Sequence, residues 1–339
     1  MAIISGSINY AMKKLFLIAL ACCFQYILIA QPKPVVKNLV FEGAGIRGVA
    51  YCGAISELEM RNLMTDVERV GGTSAGAIVA LTLSLGYNSK EISDIIAATN
   101  FKQFNDGKYF FAGGINRTSK YFGWYRGNKF ENWLEKIIAG KTGNADITFA
   151  QLHSKGYKDL YVTGTCLNKQ QLIIFSHETY PNMKVKDAIR ISMSIPLYFE
   201  AVFIDTAGNV VKHPRNKDGL DVMVDGGFTG NFPVKMFDHA GQTTCCTLGF
   251  RIDSDEQIKK DHSTKTIATL PVTNFKQYLG AFYNIVIENL NRQQLSEEDW
   301  KRTVSISDGK IGPGIKKLSA EEKNLLMDNG RMAVKNYFN

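Results

Sequence analysis

One serine of the sequence lies in a pattern that is typical of an enzyme nucleophile. Ser74 is the centre of "GTSAG", with a short strand predicted before it (Val67–Val70) and an apolar helix after it (Ala75–Gly86). A sharp strand-to-helix turn would expose the hydroxyl, because the motif glycines Gly72 and Gly76 leave no side chains to cover it. The amides that begin the helix would then stabilise an oxyanion. The alternative is a tight turn that merely contains a serine.

A glycine-rich segment, "GAGIRG", begins at Gly43 and follows a predicted strand, Val35–Phe41. Its G-x-G-x-x-G spacing is typical of a dinucleotide-binding turn, in which an acidic residue at the end of the second strand binds the ribose. Here the second strand ends in glycines, a threonine and Ser74 instead. The segment therefore fits an oxyanion hole better, with close-approaching backbone amides and a nearby positive charge. The residues predicted to form this oxyanion hole are Gly43, Ala44, Gly45, Arg47 and Gly48.

A serine nucleophile needs a base, and Asp225 is the first candidate. It ends the alternating stretch "VMVD" and is followed by Gly226 and Gly227. Strand ends are where α/β enzymes place catalytic groups. An ordinary aspartate has a pKa near ~3.9, so burial would have to raise it for work at neutral pH. Two alternatives remain: Asp225 as a turn residue bonded to its own backbone, or a histidine base such as His239 or His262.

Motifs for metal and phosphate binding are not found. The sequence contains neither H-E-x-x-H nor C-x-x-C, so it predicts no metal site. The stretch "AGKTG" (Ala139–Gly143) is similar to the end of a phosphate-binding loop, but Glu135 stands where that loop requires glycine. We interpret it as a chance match.

The N-terminus has the pattern of an export signal. Lys13 and Lys14 precede an apolar run of about 16 residues that ends at Ala30, shorter than the ~20 residues of a spanning helix. We therefore predict a signal peptide over residues 1–30, with an uncleaved anchor as the alternative, and an exported protein. No linker is visible afterwards, so residues 31–339 are predicted to form a single domain.

Composition sets the broad class. Of 339 residues, 45% are hydrophobic and 21% charged, which is typical of a globular protein with a sizeable core. The formal net charge of +8 suits an anionic surface such as phospholipid. A basic protein without such a partner fits the charge equally well.

Strand and helix patterns alternate early in the chain, which is typical of a sheet covered by helices. Later strands are predicted within Lys158–Leu167, Gln171–Ser176, Leu220–Val234, Thr243–Ile252 and Arg302–Ile306, the first two as a hairpin. Val185–Phe199 is predicted as a helix broken by Pro196. Residues 102–130 show no clear period, so we expect a long excursion over the sheet, either a binding surface or a structural loop. The tail from about residue 273 is predicted mostly helical, and Ser319 with Glu322 forms a capping box for the last helix.

Together, the glycine loop, the serine motif and the aspartate turn resemble the patatin-like phospholipase family, which uses a Ser-Asp dyad without histidine. The pieces "GAGIRG", "GTSAG" and "DGG" stand in that family's order and spacing. Asn231, Pro233 and the stretch "AIRISMSIPLYF" also look like its pattern. The likeness runs from about Val35 to Ile252, and Ala44 replaces a glycine that is common in the family.

The resemblance implies a three-layer α/β/α sandwich with a mostly parallel central sheet. It also implies hydrolysis of carboxylic esters of lipids, of phospholipase A, lysophospholipase or esterase type. Ser74 would carry the acyl group, and Asp225 would accept the serine proton and later activate water. Phospholipid or another acyl-ester lipid would be the substrate, at a membrane surface, with no metal, cofactor or nucleic acid involved. The third hypothesis is a lipid-binding protein that keeps the fold without catalysis.

Overall fold

A mostly parallel sheet of eight strands organises the chain. The computed structural model describes residues 34–107, 110–238, 246–289, 292–314 and 317–339. The strands are β1 (Asn38–Phe41), β2 (Arg69–Gly72), β3 (Gly123–Tyr125), β4 (Asp159–Cys166), β5 (Gln171–Phe175), β6 (Leu197–Phe199), β7 (Val202–Ile204), β8 (Asp221–Asp225), β9 (Thr247–Asp253) and β10 (Thr303–Ser307). The main sheet has the order β10-β9-β1-β2-β4-β8-β7, and β5 pairs with β4. Strands β3 and β6 form a separate two-stranded sheet.

Helices connect and cover these strands. They are α1 (Ala50–Met60), α2 (Ala75–Ser84), α3 (Ser89–Ala98), α4 (Phe110–Tyr121), α5 (Asn128–Thr142), α6 (Phe149–Ser154), α7 (Val185–Ser192), α8 (Gly227–Gly230), α9 (Asp255–His262), α10 (Phe275–Tyr283), α11 (Glu297–Lys301) and α12 (Ala320–Tyr337). Short 3₁₀ helices span Gly45–Val49 and Phe101–Phe104, and a π-helical segment, Asn284–Asn289, continues α10.

Both faces of the sheet are buried. Leu39 and Phe41 of β1 belong to the main hydrophobic core, in which helix α2 packs on the central strands. Val40 lies between them and packs with Tyr161 and Phe237 on the opposite face. Successive side chains of a strand point to opposite faces, so this strand is buried on both sides. The predicted α/β fold, a three-layer sandwich with a mostly parallel sheet, is confirmed.

Strand β4 brings the two sequence motifs together. It runs parallel to β2, with Gly72 opposite Val162, and antiparallel to β8, with Asp225 opposite Gly164. Because β8 runs in the reverse direction, its C-terminal end returns to the place where β2 ends. One residue, Thr163, separates the two pairings, and its hydroxyl lies 2.6 Å from that of Thr73. The register of one strand therefore places the serine turn beside the aspartate turn.

Most element predictions agree with the structure, including the antiparallel β4–β5 hairpin and the capping box at Ser319. The interpretation of residues 102–130 was wrong in one respect, since helix α4 and strand β3 lie within them. Close packing sets this helix, because Gly114 lies against the Trp124 ring and Arg117 Nε donates to Trp124 O at 3.0 Å. Such long-side-chain contacts leave no periodic trace in the sequence.

The predicted signal over residues 1–30 lies outside the described residues. Within the described ranges, no helix is both long and apolar enough to cross a bilayer.

Two glycines let the last helix pack closely on the first. A Cβ atom added at Gly53 of α1 would lie 1.7 Å from Met327 O of α12. One added at Gly330 of α12 would lie 2.0 Å from Ala50 O. The helices therefore touch backbone to backbone, and the C-terminal helix is part of the main core.

We expect Gly53→Ala to lower the free energy of unfolding by about 2 kcal/mol, because the helices must separate to admit the methyl group. This loss should exceed the gain of about 1 kcal/mol in helix propensity. Urea unfolding measures the difference. Gly113→Ala in α4 is the matched control, since its Cβ would meet only the far end of Arg117, at 3.3 Å. Equal effects at the two sites would contradict the close packing.

Candidate active site

Ser74 lies at a strained turn between β2 and α2. Its backbone has φ 52° and ψ −120°, a conformation that glycine adopts far more readily than serine. The Ser74 amide donates to Ser192 Oγ at 2.9 Å, and its carbonyl accepts from Ala77 N at 3.0 Å. These bonds hold the strained residue in place, with 7% of its surface exposed. The turn has the geometry of a nucleophile elbow.

The motif glycines surround this turn. Helix α2 begins so close to β1 that a Cβ atom at Gly76 would lie 2.3 Å from Phe41 O. Gly45 has φ +56°, and its Cβ position is blocked by Pro313 O at 2.2 Å. The other motif glycines occupy the same close-packed region: Gly48 faces Ala75, Gly72 faces Gly76, Gly226 faces Thr163 and Gly227 faces Asn231. The glycine spacing in the sequence thus follows from the approach of three backbone segments.

Asp225 is the last residue of β8 and is buried, with 5% of its surface exposed. Burial raises its pKa from 3.8 to about 7. The Gly227 amide, which donates to Oδ1 at 2.8 Å, and a hydrogen bond from the Ser74 side chain oppose this shift. A carboxyl group with this pKa is half ionised at neutral pH. Such a group can accept a proton from the serine hydroxyl that lies beside it.

The last residue of helix α7 and the two residues after it contact both residues of the pair. Ser192 Oγ accepts from the Ser74 amide, and Ser194 O accepts from the Asp225 amide at 2.9 Å. Between them, Met193 Sδ lies 3.4 Å from Ser74 Oγ, a weak acceptor at a long distance. The family-like stretch "AIRISMSIPLYF" contains these three residues, but the sequence assigned them no role. Their resemblance to the family pattern was visible in the sequence, but it did not indicate what these residues contact.

Asn231 joins the first glycine loop to the aspartate turn. Its Nδ2 donates to Gly43 O at 2.9 Å, and its carbonyl accepts from the Gly43 amide at 3.1 Å. The Gly43 amide is therefore already bonded, which differs from its predicted role as an oxyanion donor. A Cβ atom at Gly43 would also meet Asn231 Oδ1 at 2.3 Å and Ser74 Cβ at 3.3 Å. Gly43 serves as the point where the loop is fixed beside the serine.

Other backbone amides of the glycine loop and of the start of helix α2 could donate to an oxyanion. The Ile46 and Arg47 amides donate within the protein, to Pro313 O and Ala44 O. Within the part of the chain that the structure describes, the amides of Ala44, Gly45 and Ala75 have no acceptor. Gly45 and Ala75 line the same cavity as Ser74. Of the candidate donors, these three amides fit an oxyanion hole best.

The Arg47 side chain supports the loop from behind. Its Nε donates to Ala44 O at 3.2 Å, and Nη1 lies 3.9 Å from Asp308 Oδ2. Both side chains are largely buried, so the acid offsets the charge that the sequence placed beside the oxyanion. With these contacts, the Arg47 side chain fits a supporting role better than the predicted direct contact with the oxyanion.

The Ser74 hydroxyl and the Asp225 carboxyl open into a cavity of about 970 Å³. Much of its wall is apolar: Ile78, Val79, Ile96, Phe104, Phe130 and Phe199. No lysine, arginine or histidine lines it among the described residues. Its size lies at the upper end for ligand pockets, and its lining suits a hydrocarbon chain better than a charged ligand.

The histidines that the structure describes lie elsewhere. His213 Nε2 pairs with Glu200 Oε2 at 3.0 Å, and His262 is exposed at the end of helix α9. His239, the other candidate base, lies outside the described residues. No described histidine is therefore in position to bridge Ser74 and Asp225.

One group of side chains is close enough to hold a metal ion: His153, Asp159 and His177. The two rings stack at 4.0 Å with an interplanar angle of 5°. Ring-nitrogen lone pairs lie in the ring planes, so those of two stacked rings lie in separate parallel planes and cannot both point at one ion. Asp159 Oδ1 instead lies 2.6 Å from His153 Nδ1 and 3.6 Å from His177 Nδ1. The arrangement fits a surface hydrogen-bonded cluster.

Comparisons with known proteins identify relatives of the whole chain. The chain is 28% identical over 306 residues to protein R571 of Acanthamoeba polyphaga mimivirus, covering 88% of this chain and 93% of that protein. It is 27% identical to the probable lipid hydrolase 463L of Invertebrate iridescent virus 6, covering 75% of this chain and 78% of the viral protein.

Among solved structures, VipD from Legionella pneumophila superposes with a TM-score of 0.56. The match covers 90% of this chain and 67% of VipD at 16% identity, so it shows a shared fold alone. A family model described as Patatin-like phospholipase matches residues 39–238, more than half of the chain, including every motif residue discussed above. The chain belongs to the patatin-like phospholipase family.

Proposed function

We propose that the protein hydrolyses lipid acyl esters through an acyl intermediate on Ser74, with Asp225 as the base. The observation that carries the proposal is the buried Asp225 carboxyl, with a pKa of about 7, beside Ser74. Both groups open into the same apolar cavity. The family membership supports a lipid hydrolase at a coarser level.

In the first half of the reaction, Asp225 accepts the Ser74 proton as Oγ attacks the ester carbonyl carbon. The carbonyl oxygen becomes an oxyanion, for which the amides of Ala44, Gly45 and Ala75 are the donors. The ester C–O bond then breaks, and the leaving alcohol takes the proton from Asp225. The acyl group remains bonded to Ser74.

In the second half, Asp225 takes a proton from water as the water oxygen attacks the acyl carbon. The same amides hold the second oxyanion. Breaking the bond to Ser74 Oγ returns the proton to the serine and releases the fatty acid. Each oxyanion donor contributes on the order of 10²–10³ in rate in enzymes of this kind.

The cavity indicates the substrate class. Apolar side chains line the space beside Ser74, and burying each methylene of an acyl chain there is worth about 0.8 kcal/mol. Since no described lysine or arginine lines the cavity, the acyl chain supplies most of the recognition. Phospholipids and neutral acyl esters both fit this requirement.

The two other hypotheses predict different behaviour. A Ser-His-Asp esterase needs a histidine at Ser74, and only His239 lies outside the described residues. A lipid-binding protein without catalysis would have no reason to hold serine in a strained turn beside a carboxyl with a raised pKa. These features favour the Ser-Asp hydrolase.

We expect Ser74→Ala and Asp225→Asn each to lower ester turnover by at least about 10³-fold, since each removes a partner of the proton transfer. His239→Ala and His262→Ala are the matched controls and should keep wild-type turnover. Release of fatty acid from mixed phospholipids and short-chain esters measures the effect. A phosphonate ester should label wild-type Ser74. Loss of turnover in His239→Ala with activity retained in Asp225→Asn would establish the histidine mechanism instead.

Acidity should limit the reaction. Below about pH 7, Asp225 is increasingly protonated and cannot accept the serine proton. We expect kcat/KM to fall tenfold per pH unit below that value and to level off above it. A pH–rate profile on a soluble ester measures this dependence. A plateau that extends down to pH 5 would contradict a base with a raised pKa.

The same pKa predicts a stability effect that needs no substrate. An acid with a pKa near ~3.9 when unfolded and about 7 when folded makes the native state bind more protons between these values. Stability is then lost as pH rises through this window, by up to about 4 kcal/mol above pH 7. Asp225→Asn removes this loss and still offers Oδ1 to the Gly227 amide.

We therefore expect Asp225→Asn to unfold at higher urea than wild type at pH 8, with the gain vanishing near pH 4. Ser74→Ala is the control, because it keeps the carboxyl group and hence the pH dependence. Urea titrations at several pH values measure both. A gain for Asp225→Asn that does not change with pH would show that the carboxyl pKa is ordinary.

A further inference from the structure

A surface segment over the active site exposes large apolar side chains. We name residues 267–287, which contain helix α10 and the start of its π-helical continuation, the cover segment. Its exposed apolar residues include Ile267, Leu270, Val272, Phe275, Tyr278, Phe282 and Ile285. Phe275 is 75% exposed and Phe282 62% exposed, which is unusual for phenylalanine. A contiguous exposed apolar patch marks an interaction surface.

The opposite side of the cover segment forms a wall of the catalytic cavity. Gln277, Gly280, Ala281, Asn284 and Ile287 line it, together with Leu270 and Pro271. Ile287 also lies near the aspartate turn, since a Cβ atom at Gly227 would meet its Cγ2 at 3.4 Å. One short stretch of chain therefore borders both the cavity that holds Ser74 and the surrounding solvent.

Buried polar contacts fix both ends of the cover segment. Before it, Gln257 donates to Thr266 O at 3.2 Å and accepts from the Ala268 amide at 2.8 Å. After it, the Arg292 guanidinium bonds Asp253 and Asp261, and all three side chains are buried. The exposed aromatic residues are thus held at a set place beside the cavity.

The positive charge in and beside the cover segment indicates what binds to the exposed apolar patch. Between Asp261 and Glu288 the sequence contains no aspartate or glutamate; Lys276 lies within the cover segment and Lys265 two residues before it. Aromatic residues flanked by lysine are typical of surfaces that enter the headgroup region of a membrane. A protein partner for such a patch would have no need to border the acyl cavity, whereas a lipid surface delivers the substrate there.

We propose that the cover segment is the surface by which the protein docks on phospholipid bilayers, so that lipid passes from the bilayer into the cavity beside it. The proposal rests on the lipid acyl hydrolase proposed above for the identity of the substrate. Phe275, Tyr278 and Phe282 enter the acyl boundary, and Lys265 faces anionic headgroups.

Co-sedimentation of the full chain with vesicles tests this docking. Vesicles of phosphatidylcholine alone are compared with an equimolar mixture of phosphatidylcholine and phosphatidylglycerol. Phe275→Ser/Phe282→Ser should lower the partition coefficient about tenfold per aromatic residue removed. Lys265→Gln should lower binding about fivefold on the anionic vesicles only. Met60→Ser/Met332→Ser, with comparably exposed residues on α1 and α12, is the matched control and should bind like wild type.

A soluble short-chain ester separates docking from catalysis. In the phenylalanine double variant, the ratio of turnover on vesicles to turnover on the soluble ester should fall in step with binding. If no variant hydrolyses any ester but vesicle binding still falls, the docking surface stands and the proposed reaction fails.

Vesicle binding of the double variant equal to wild type would overturn the proposal. Binding would then belong to another part of the chain, such as the apolar residues 15–30. Light scattering measures the oligomeric state of wild type and of the phenylalanine double variant. A change from dimer to monomer without a change in vesicle binding would also overturn it, because the occupant would be a second copy of the chain.

Discussion

The site depends on one carboxyl group that the fold buries without a cation. Asp225 has the Gly227 amide and the Ser74 side chain as its hydrogen-bond partners, and its pKa rises to about 7 because burial outweighs both. Asp253, at the end of β9, is equally buried, but Arg251 and Arg292 overcome the effect of burial and hold its pKa below the ordinary value. The difference between a structural acid and a candidate base is therefore the presence of an arginine. An arginine beside Asp225 would keep the carboxylate ionised but too weakly basic to take a serine proton.

The central strands of the sheet hold that carboxyl group beside Ser74. Strand β4 fixes the distance between the two turns through Val162 and Gly164, and residues 192–194 bond both backbones. The first glycine loop is held separately, because Glu42 Oε2 accepts from the Ile252 amide and Oε1 lies 3.0 Å from Arg251. A buried ion pair thus holds the residue before the glycine loop, whereas no charged group stabilises the Asp225 carboxylate. Breaking such a buried pair costs several kcal/mol, so this support is rigid.

The sequence contained the local part of this arrangement. Ser74 and Asp225 are predicted as a pair from turn chemistry, because glycines at fixed offsets mark places where backbones approach closely. The sequence did not show which residues far apart in the chain form hydrogen bonds with each other. The Gly43 amide was assigned to the oxyanion because nothing in the sequence showed that Asn231, 188 residues later, would occupy it. For the same reason Met193 had no assigned role, and helix α4 was missed where packing on Trp124 overrides a weak periodic pattern.

The pKa of Asp225 also explains why positive charge belongs outside the cavity and not within it. A cation within the cavity would bind a phosphate well, but it would also stabilise the Asp225 carboxylate and lower its pKa. Contacts to a charged headgroup are therefore compatible with this base only at a distance from Ser74. Lys265, which is exposed and lies two residues before the cover segment, does not line the cavity and satisfies that condition. Helix α10 and its continuation lie between the cavity and the solvent, and the described residues of that stretch that line the cavity are apolar or uncharged. In the proposed reaction, the acyl chain would enter an environment in which Asp225 keeps its raised pKa.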